Sequence, residues 1–425
     1  MVTLITIVLW TAELLHAGAT AFLCVGLLVL TRAAPGLREA LYGFASPVPY
    51  FLVGVLTMGA AVVKSGLAER LARAILLRAR GRGVAMFRQM LLAFPVLTFV
   101  LPSATTRSGI LVHVYDEVLA LGRIPRGAEI AKAIMLALGS INRLASTALL
   151  TGGITPVMSA AIIGGMSWTR WFSLMAVPYY VILCLGGVLI YALHRKGLDR
   201  DLPAPRETRP GPLGPSEWRT AGIILGASVL WLTEGLHGLD PALPALLAFV
   251  ALLTPRLGPL VWEDLERGVG WANLFVIAAS ISLAHTLGES GAALWLGRGL
   301  VGSLPAFGNH PVGSVMLFML GATILRAFIP NITGFLALAL PITMSAAREA
   351  GLNPVACALV VMITGDAVLY YPAQSASALV IYERGHLSAG EIFRFGLWMT
   401  LVAYVAILFV AVPYWALVGE PIVPR

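Results

Sequence analysis

Residues 171–193 and 397–417 contain no charged side chain. Each run is long enough to cross the hydrocarbon core of a bilayer, which takes about 20 apolar residues as a helix. In lipid every backbone N–H and C=O must find a partner within the segment, so runs of this kind fold as helices. Residues 17–30, 49–63, 220–233, 239–254 and 274–286 are further apolar candidates, several of them short or interrupted. Interrupted spans are the mark of discontinuous helices around a site at membrane depth. Composition points the same way. Only 12% of the 425 residues are charged, whereas a soluble domain carries roughly 25%. The expected class is an all-α polytopic membrane protein of a cell inner membrane or plasma membrane.

The net charge of +8 does not indicate a nucleic-acid partner, because the basic residues are split into short clusters between apolar runs. One cluster is Lys64, Arg70, Arg73, Arg78, Arg80, Arg82 and Arg88; the other is Arg195, Lys196, Arg200, Arg206, Arg209 and Arg219. Both are expected on the cytoplasmic side. The second lies in a Pro-rich stretch (Pro203, Pro205, Pro210, Pro212, Pro215), read as a central linker over 198–218. Residues 66–77 read as an interfacial amphipathic helix. Cys24, Cys184 and Cys357 are far apart and give no disulfide framework. The first charge is Glu13, so no signal-peptide n-region is expected. Trp168, Trp171 and Trp398 are expected at the membrane interface.

The letters repeat. Val8-Leu-Trp-Thr-Ala-Glu-Leu-Leu-His16 and Val229-Leu-Trp-Leu-Thr-Glu-Gly-Leu-His237 share six of nine positions. Lys64-Ser-Gly-Leu-Ala68 pairs with Glu289-Ser-Gly-Ala-Ala293, Pro102–Thr106 with Pro330–Gly334, and Leu121–Pro125 with Ala350–Pro354, all in the same order. Two repeats are expected, 1–197 and 219–425, each with about five transmembrane helices and one re-entrant hairpin (87–121 and 311–350). Five crossings is an odd number, so the second repeat is expected to be inverted relative to the first. Gly83 and Pro205 would then lie inside, and Pro35, Gly299, Pro421 and the N-terminus outside.

Four polar islands interrupt the apolar runs. The hairpin tips are Pro102-Ser-Ala-Thr-Thr-Arg-Ser-Gly109 and Pro330-Asn-Ile-Thr-Gly334; the later breaks are Thr151-Gly-Gly-Ile-Thr-Pro156 and Tyr371-Pro-Ala-Gln-Ser-Ala-Ser377. Irregular backbone survives at membrane depth where it lines a cavity. Freed carbonyls with Ser, Thr and Asn oxygens suit a small hard cation; helix N-termini and an arginine suit an anion. Arg107 is the leading anion-binding candidate because it belongs to a tip. Arg143 and Arg326 are read as partners for carboxylates or as further site residues. Asp366 is open to three readings: proton site, cation site, or the ion-pair partner of an arginine. Glu13 and Glu234 are read as helix ends or caps. No catalytic constellation is visible, so an enzyme is not expected.

At these residues the chain resembles the divalent-anion:sodium symporter family, the carriers of dicarboxylates, citrate and sulfate. The resemblance covers nearly the whole chain. The family carries a Ser-Asn-Thr motif in each tip, read here as Ser103-Ala104-Thr105 followed by Thr106-Arg107-Ser108-Gly109, and as Pro330-Asn331-Ile332 followed by Thr333. The Ser65–Ala68 segment, the Trp231–Glu234 pair and the stretch 372–382 fit it as well. The resemblance implies substrate contacts at Ser103, Thr105, Thr106, Arg107, Asn331, Thr333, Gln374 and Ser375. It implies sodium ligands at Ser103, Thr105, Thr151, Gly152, Asn331, Thr333 and Ala373, with sodium ions the only cofactor. Asp366 is the candidate for proton coupling. Ala104 lacks the family's amide, and Pro330 and Ile332 lack its hydroxyls, which puts sodium coupling in question more than anion transport. The expected function is secondary active, cation-coupled transport of a small divalent organic or inorganic anion, a di- or tricarboxylate or sulfate, by an elevator-type homodimer in the lipid bilayer. A passive anion channel, an arsenite carrier and a sodium/proton carrier are the alternatives.

Overall fold

A computed structural model describes residues 1–77, 82–101, 103–199, 211–303 and 311–424. Pro102 of the first tip, Arg78 and Arg80, and residues 200–210 with Pro203, Pro205, Pro210, Arg200, Arg206 and Arg209 lie outside the described residues.

The described chain is helical throughout its core. α1 (Val2–Thr11), α2 (Ala17–Leu30), α3 (Pro47–Lys64) and the amphipathic α4 (Leu67–Leu77) lead to the first expected hairpin. Its residues form two helices, α5 (Gly83–Val100) and α6 (Ala104–Leu121). α7 occupies 129–147 and contains a widened π-turn over Ala137–Ile141. A tight turn at Leu150–Gly152 separates it from α8 (Ile154–Ile163), and α9 (Trp168–Leu198) ends this half.

The second half runs α10 (Pro215–Leu232), α11 (Ala242–Leu253), α12 (Trp271–Glu289) and α13 (Ala292–Ser303). The residues of the second expected hairpin form α14 (Pro311–Phe328) and α15 (Ile332–Glu349). α16 (Pro354–Asp366), a turn at Pro372–Gln374, the short α17 (Ala376–Tyr382) and α18 (389–417) complete it. Among the described residues, α3, α9, α12, α14 and α18 are long and apolar enough to cross a membrane. The chain is thus an all-α polytopic membrane protein.

Sequence chemistry sets the helix ends. Ser103, Ser167, Asn331, Asn353 and Ser388 each cap a helix with a side-chain oxygen. Such caps satisfy amides that have no partner inside the helix. Pro47, Pro215 and Pro354 sit in first turns, where a missing N–H does no harm. Glu234 accepts from the Trp168 amide at 2.6 Å, so it caps α9 across the two halves.

Packing is crosswise. α3 lies against α11, and α12 lies against α2. Trp168 and Trp171 depart from the interfacial placement expected of them, being 2% and 0% exposed. The indole N–H of Trp171 donates to the Thr147 carbonyl at 3.1 Å, an acceptor that only the broken end of α7 provides. Trp398 is half exposed.

Candidate site: two guanidinium clamps and a buried ion pair

Each tip is a helix–break–helix, and each break is held by a buried arginine. Arg107, one turn into α6, has no exposed surface. Its Nη1 donates to the Leu101 carbonyl at 2.5 Å. Its Nε donates to Asn142 Oδ1 at 2.9 Å, and Nη2 to the Asn142 carbonyl at 3.0 Å and Ser146 Oγ at 2.6 Å. Asn142 Nδ2 returns to the Ala104 carbonyl and to Ser108 Oγ at 3.1 and 3.0 Å. The π-turn of α7 directly precedes Asn142. Such a turn shifts the helical register, a common device at functional sites.

Arg326, near the end of α14, is 2% exposed. Its Nη1 donates to the carbonyls of Ile329 and Pro330 at 2.6 Å each. Its Nε reaches the Gly365 carbonyl at 2.9 Å and Nη2 the Gln374 carbonyl at 3.2 Å. Gln374 Nε2 donates back to the Arg326 carbonyl at 2.8 Å, while its Oε1 accepts from the Tyr370 amide at 2.7 Å.

Between the clamps lies Asp366, 4% exposed. It accepts from Thr147 Oγ1 at 2.9 Å, Thr155 Oγ1 at 3.0 Å and the Tyr179 hydroxyl at 3.0 Å. Arg143 Nη1 stands 3.3 Å from its Oδ1. All four partners come from the first half, so the carboxylate ties α16 to α7, α8 and α9. The connections are serial: the first tip reaches Asn142 and Ser146 through Arg107; Arg143 and Thr147 reach Asp366; its neighbour Gly365 reaches the second tip through Arg326. Arg107, Arg143 and Arg326 against Asp366 leave a formal charge of +2 in this buried belt. A single arginine at mid-bilayer costs about 2.5–3.5 kcal/mol on insertion scales. A belt of three therefore needs a strong compensating role.

The residues singled out in the sequence divide in two. Arg107 and Gln374 are buried and spent on protein partners. Ser103 Oγ accepts from the Thr106 amide and hydroxyl at 3.2 and 3.0 Å. Asn331 Oδ1 accepts from the Thr333 amide and hydroxyl at 2.9 and 2.7 Å, the corresponding arrangement in the second tip. Thr105 and Ala373 are exposed, and Ser375 bonds to Ser377 at 2.8 Å. Thr151 Oγ1 accepts from Trp168 Nε1 at 3.4 Å. Gly152 lies so close to the Ser146 backbone that a Cβ would collide with it. Sequence reasoning did not select Asn142, Ser146, Thr147, Thr155 or Tyr179. Asn142-Arg143 is legible as a polar pair in an apolar run and Thr155 belongs to the break at 151–156; Ser146, Thr147 and Tyr179 carry no local signal.

An apolar cleft of about 290 Å³ runs beside the first break, lined by Tyr42, Phe51, Leu150, Val157, Met166 and Ile281 among others. The charged side chain on its wall is Asp240. An apolar wall with a carboxylate disfavours an anion, so the clamp belt is the better site.

Known proteins agree in kind. The profile described as sodium:sulfate symporter transmembrane region matches residues 1–420. A membrane protein of Cupriavidus necator is 24% identical over 447 aligned positions, covering 97% of this chain and 86% of that one. The L-tartrate/succinate antiporter of Escherichia coli K12 is 25% identical, covering 85% of this chain and 77% of its own. In fold, the crystal structure of the Alcanivorax borkumensis YdaH transporter, described as having an unusual topology, superposes with a TM-score of 0.59 at 17% identity, covering 92% of this chain and 91% of that one. The chain is a membrane transporter of the sodium:sulfate symporter transmembrane family.

Proposed function

We propose that this protein exchanges small dicarboxylates across the membrane, one bound anion for another, with the clamp belt as its substrate site. The observation that carries this reading is the serial connection of both tips and both breaks through buried side chains whose formal charge is +2. A dianion neutralises that charge. The antiporter name of the Escherichia coli relative supports exchange of a C4 dicarboxylate. Ser103, Thr105, Thr106, Asn331, Thr333 and Ser375 supply hydroxyl and amide groups at the tips for the anion. Arg107 and Gln374 position the tips.

Sodium fits these residues poorly. Arg107 and Arg326 bond the carbonyls of Leu101, Ile329 and Pro330, close in sequence to the tip residues that the resemblance would give to sodium. A fixed cation beside those residues repels a second one. In this reading Asp366 is the partner of Arg143, not a proton carrier. The two halves act as inverted repeats; the crosswise packing of α3 on α11 and α12 on α2 supports that arrangement.

The test is uptake of labelled succinate by proteoliposomes. Uptake is expected only when the lumen holds unlabelled succinate or tartrate, and equally in sodium, potassium or choline. Net uptake into empty liposomes that requires sodium would overturn the exchange reading.

A further inference from the structure

The Arg143 guanidinium is used on one side only. Nη1 faces Asp366 at 3.3 Å, while Nε and Nη2 are buried and have no hydrogen-bond partner. The residue is 9% exposed. Nε and Nη2 form the lateral edge of the guanidinium, two parallel N–H donors with the spacing of a carboxylate. Buried donors without an acceptor are costly and rare in native structures, and here two lie on one edge. That edge belongs to the segment 142–147, which also bears Asn142 and Ser146, the partners of the Arg107 clamp. On its other side the guanidinium is steadied by Asp366, which three hydroxyls fix in place.

We infer that the lateral edge of Arg143 receives one carboxylate group of the transported anion in a bidentate pair, and that Asp366 with Thr147, Thr155 and Tyr179 is its positioning set. This deepens the dicarboxylate reading and rests on it. The contact assigns the substrate class to planar carboxylates, because the fork matches a carboxylate in one plane. It also separates the three arginines by role: Arg107 and Arg326 hold backbone, and Arg143 holds substrate. The donors are closed to solvent here, so an anion reaches them only after the packing around Arg143 opens.

The experiment compares wild type, Arg143→Lys and the double variant Arg143→Gln with Asp366→Asn in succinate counterflow. Thermal unfolding with and without succinate is read in parallel. Arg143→Lys keeps the charge and the pair with Asp366 but lacks the fork. Its KM for succinate is expected to rise about 10–100-fold, the loss of one charge-assisted bidentate contact. Its kcat and its unfolding temperature without ligand are expected to stay near wild type. The double variant strands no buried charge, so it folds, yet the stabilisation of the wild type by succinate is expected to vanish in it. Wild-type KM in Arg143→Lys, or succinate stabilisation retained in the double variant, overturns the assignment and leaves the pair structural. A wild type that neither exchanges succinate nor is stabilised by it overturns the dicarboxylate reading itself, and this inference with it.

Discussion

The two hairpin tips solve one problem with different letters. In the first, the clamp comes from the arm after the break: Arg107 reaches back to the Leu101 carbonyl. In the second it comes from the arm before the break: Arg326 reaches forward to Ile329 and Pro330. Both carbonyls at Leu101 and Ile329 stand two residues before the capping residue, Ser103 or Asn331. By repeat register Phe335 corresponds to Arg107, and Thr98 to Arg326. Phe335 packs on Gly365, where a Cβ would strike its ring. What the two halves share is a guanidinium on the tip carbonyl, not an arginine at one position. The first clamp leans on a side-chain amide, Asn142, and the second on the main-chain carbonyls of Gly365 and Gln374.

The largest expected effect tests whether the clamps are equivalent. Arg107→Ala and Arg326→Ala each strand several buried acceptors, and each is expected to lose about 3–5 kcal/mol of stability. Thermal unfolding in detergent measures this, and counterflow is expected to be abolished in both. If one variant exchanges normally, that tip needs no clamp and the equivalence fails.

A smaller effect contrasts the first break with the end of α16. Gly152→Ala meets the Ser146 backbone, and at closer range than Gly365→Ala meets the buried Phe335 ring. Overpacking costs about 1–3 kcal/mol, with Gly152→Ala at the upper end and Gly365→Ala at the lower. Unfolding temperatures in the reverse order would show the end of α16 to be the stiffer.

Smaller again are the hydroxyls on Asp366. Thr155→Val and Tyr179→Phe each remove one donor to a charged acceptor, worth about 1.5 kcal/mol. Both are expected to raise the KM for succinate modestly by loosening Arg143. An unchanged KM in both would detach the positioning set from the substrate.

The smallest effect concerns the amide that Ala104 lacks. Ala104→Asn at this half-exposed position is expected to shift stability by no more than about 0.5 kcal/mol. Counterflow is expected to remain indifferent to sodium, because the fixed charge of Arg107 still stands at the tip. Sodium-stimulated uptake in this variant would mean that the amide, not the clamp, decides coupling.

Much of the architecture was legible in the letters. Both helix–break–helix tips, the breaks at Thr151–Gly153 and 371–375, and the amphipathic α4 are where hydropathy, proline and glycine place them. The site was legible in part. Arg107 stood out because a charge in a polar tip is conspicuous, but its bonds to Asn142 and Ser146 arise from tertiary packing and leave no trace in local sequence. Tyr179 is a further case: it sits in an apolar run and reads as one more lipid-facing aromatic until α9 turns it onto Asp366. Trp168 and Trp171 misled for the same reason, since an indole N–H finds a partner equally well at a headgroup or at a broken helix end.

The +2 charge of the clamp belt has an electrical consequence. Moving charge across a membrane potential changes its energy by about 2.3 kcal/mol per elementary charge for each 100 mV. An empty belt crossing the full field toward the positive side would therefore climb about 4.6 kcal/mol at 100 mV, roughly a 2,000-fold penalty in population. With a dianion aboard the same movement would be electrically silent. On the exchange reading, the unloaded protein in an inside-negative cell would be drawn to its inward-facing state and held there until cytoplasmic substrate discharged it. Three fixed arginines and one aspartate would enforce one-for-one exchange by electrostatics alone, with no co-transported ion as a latch.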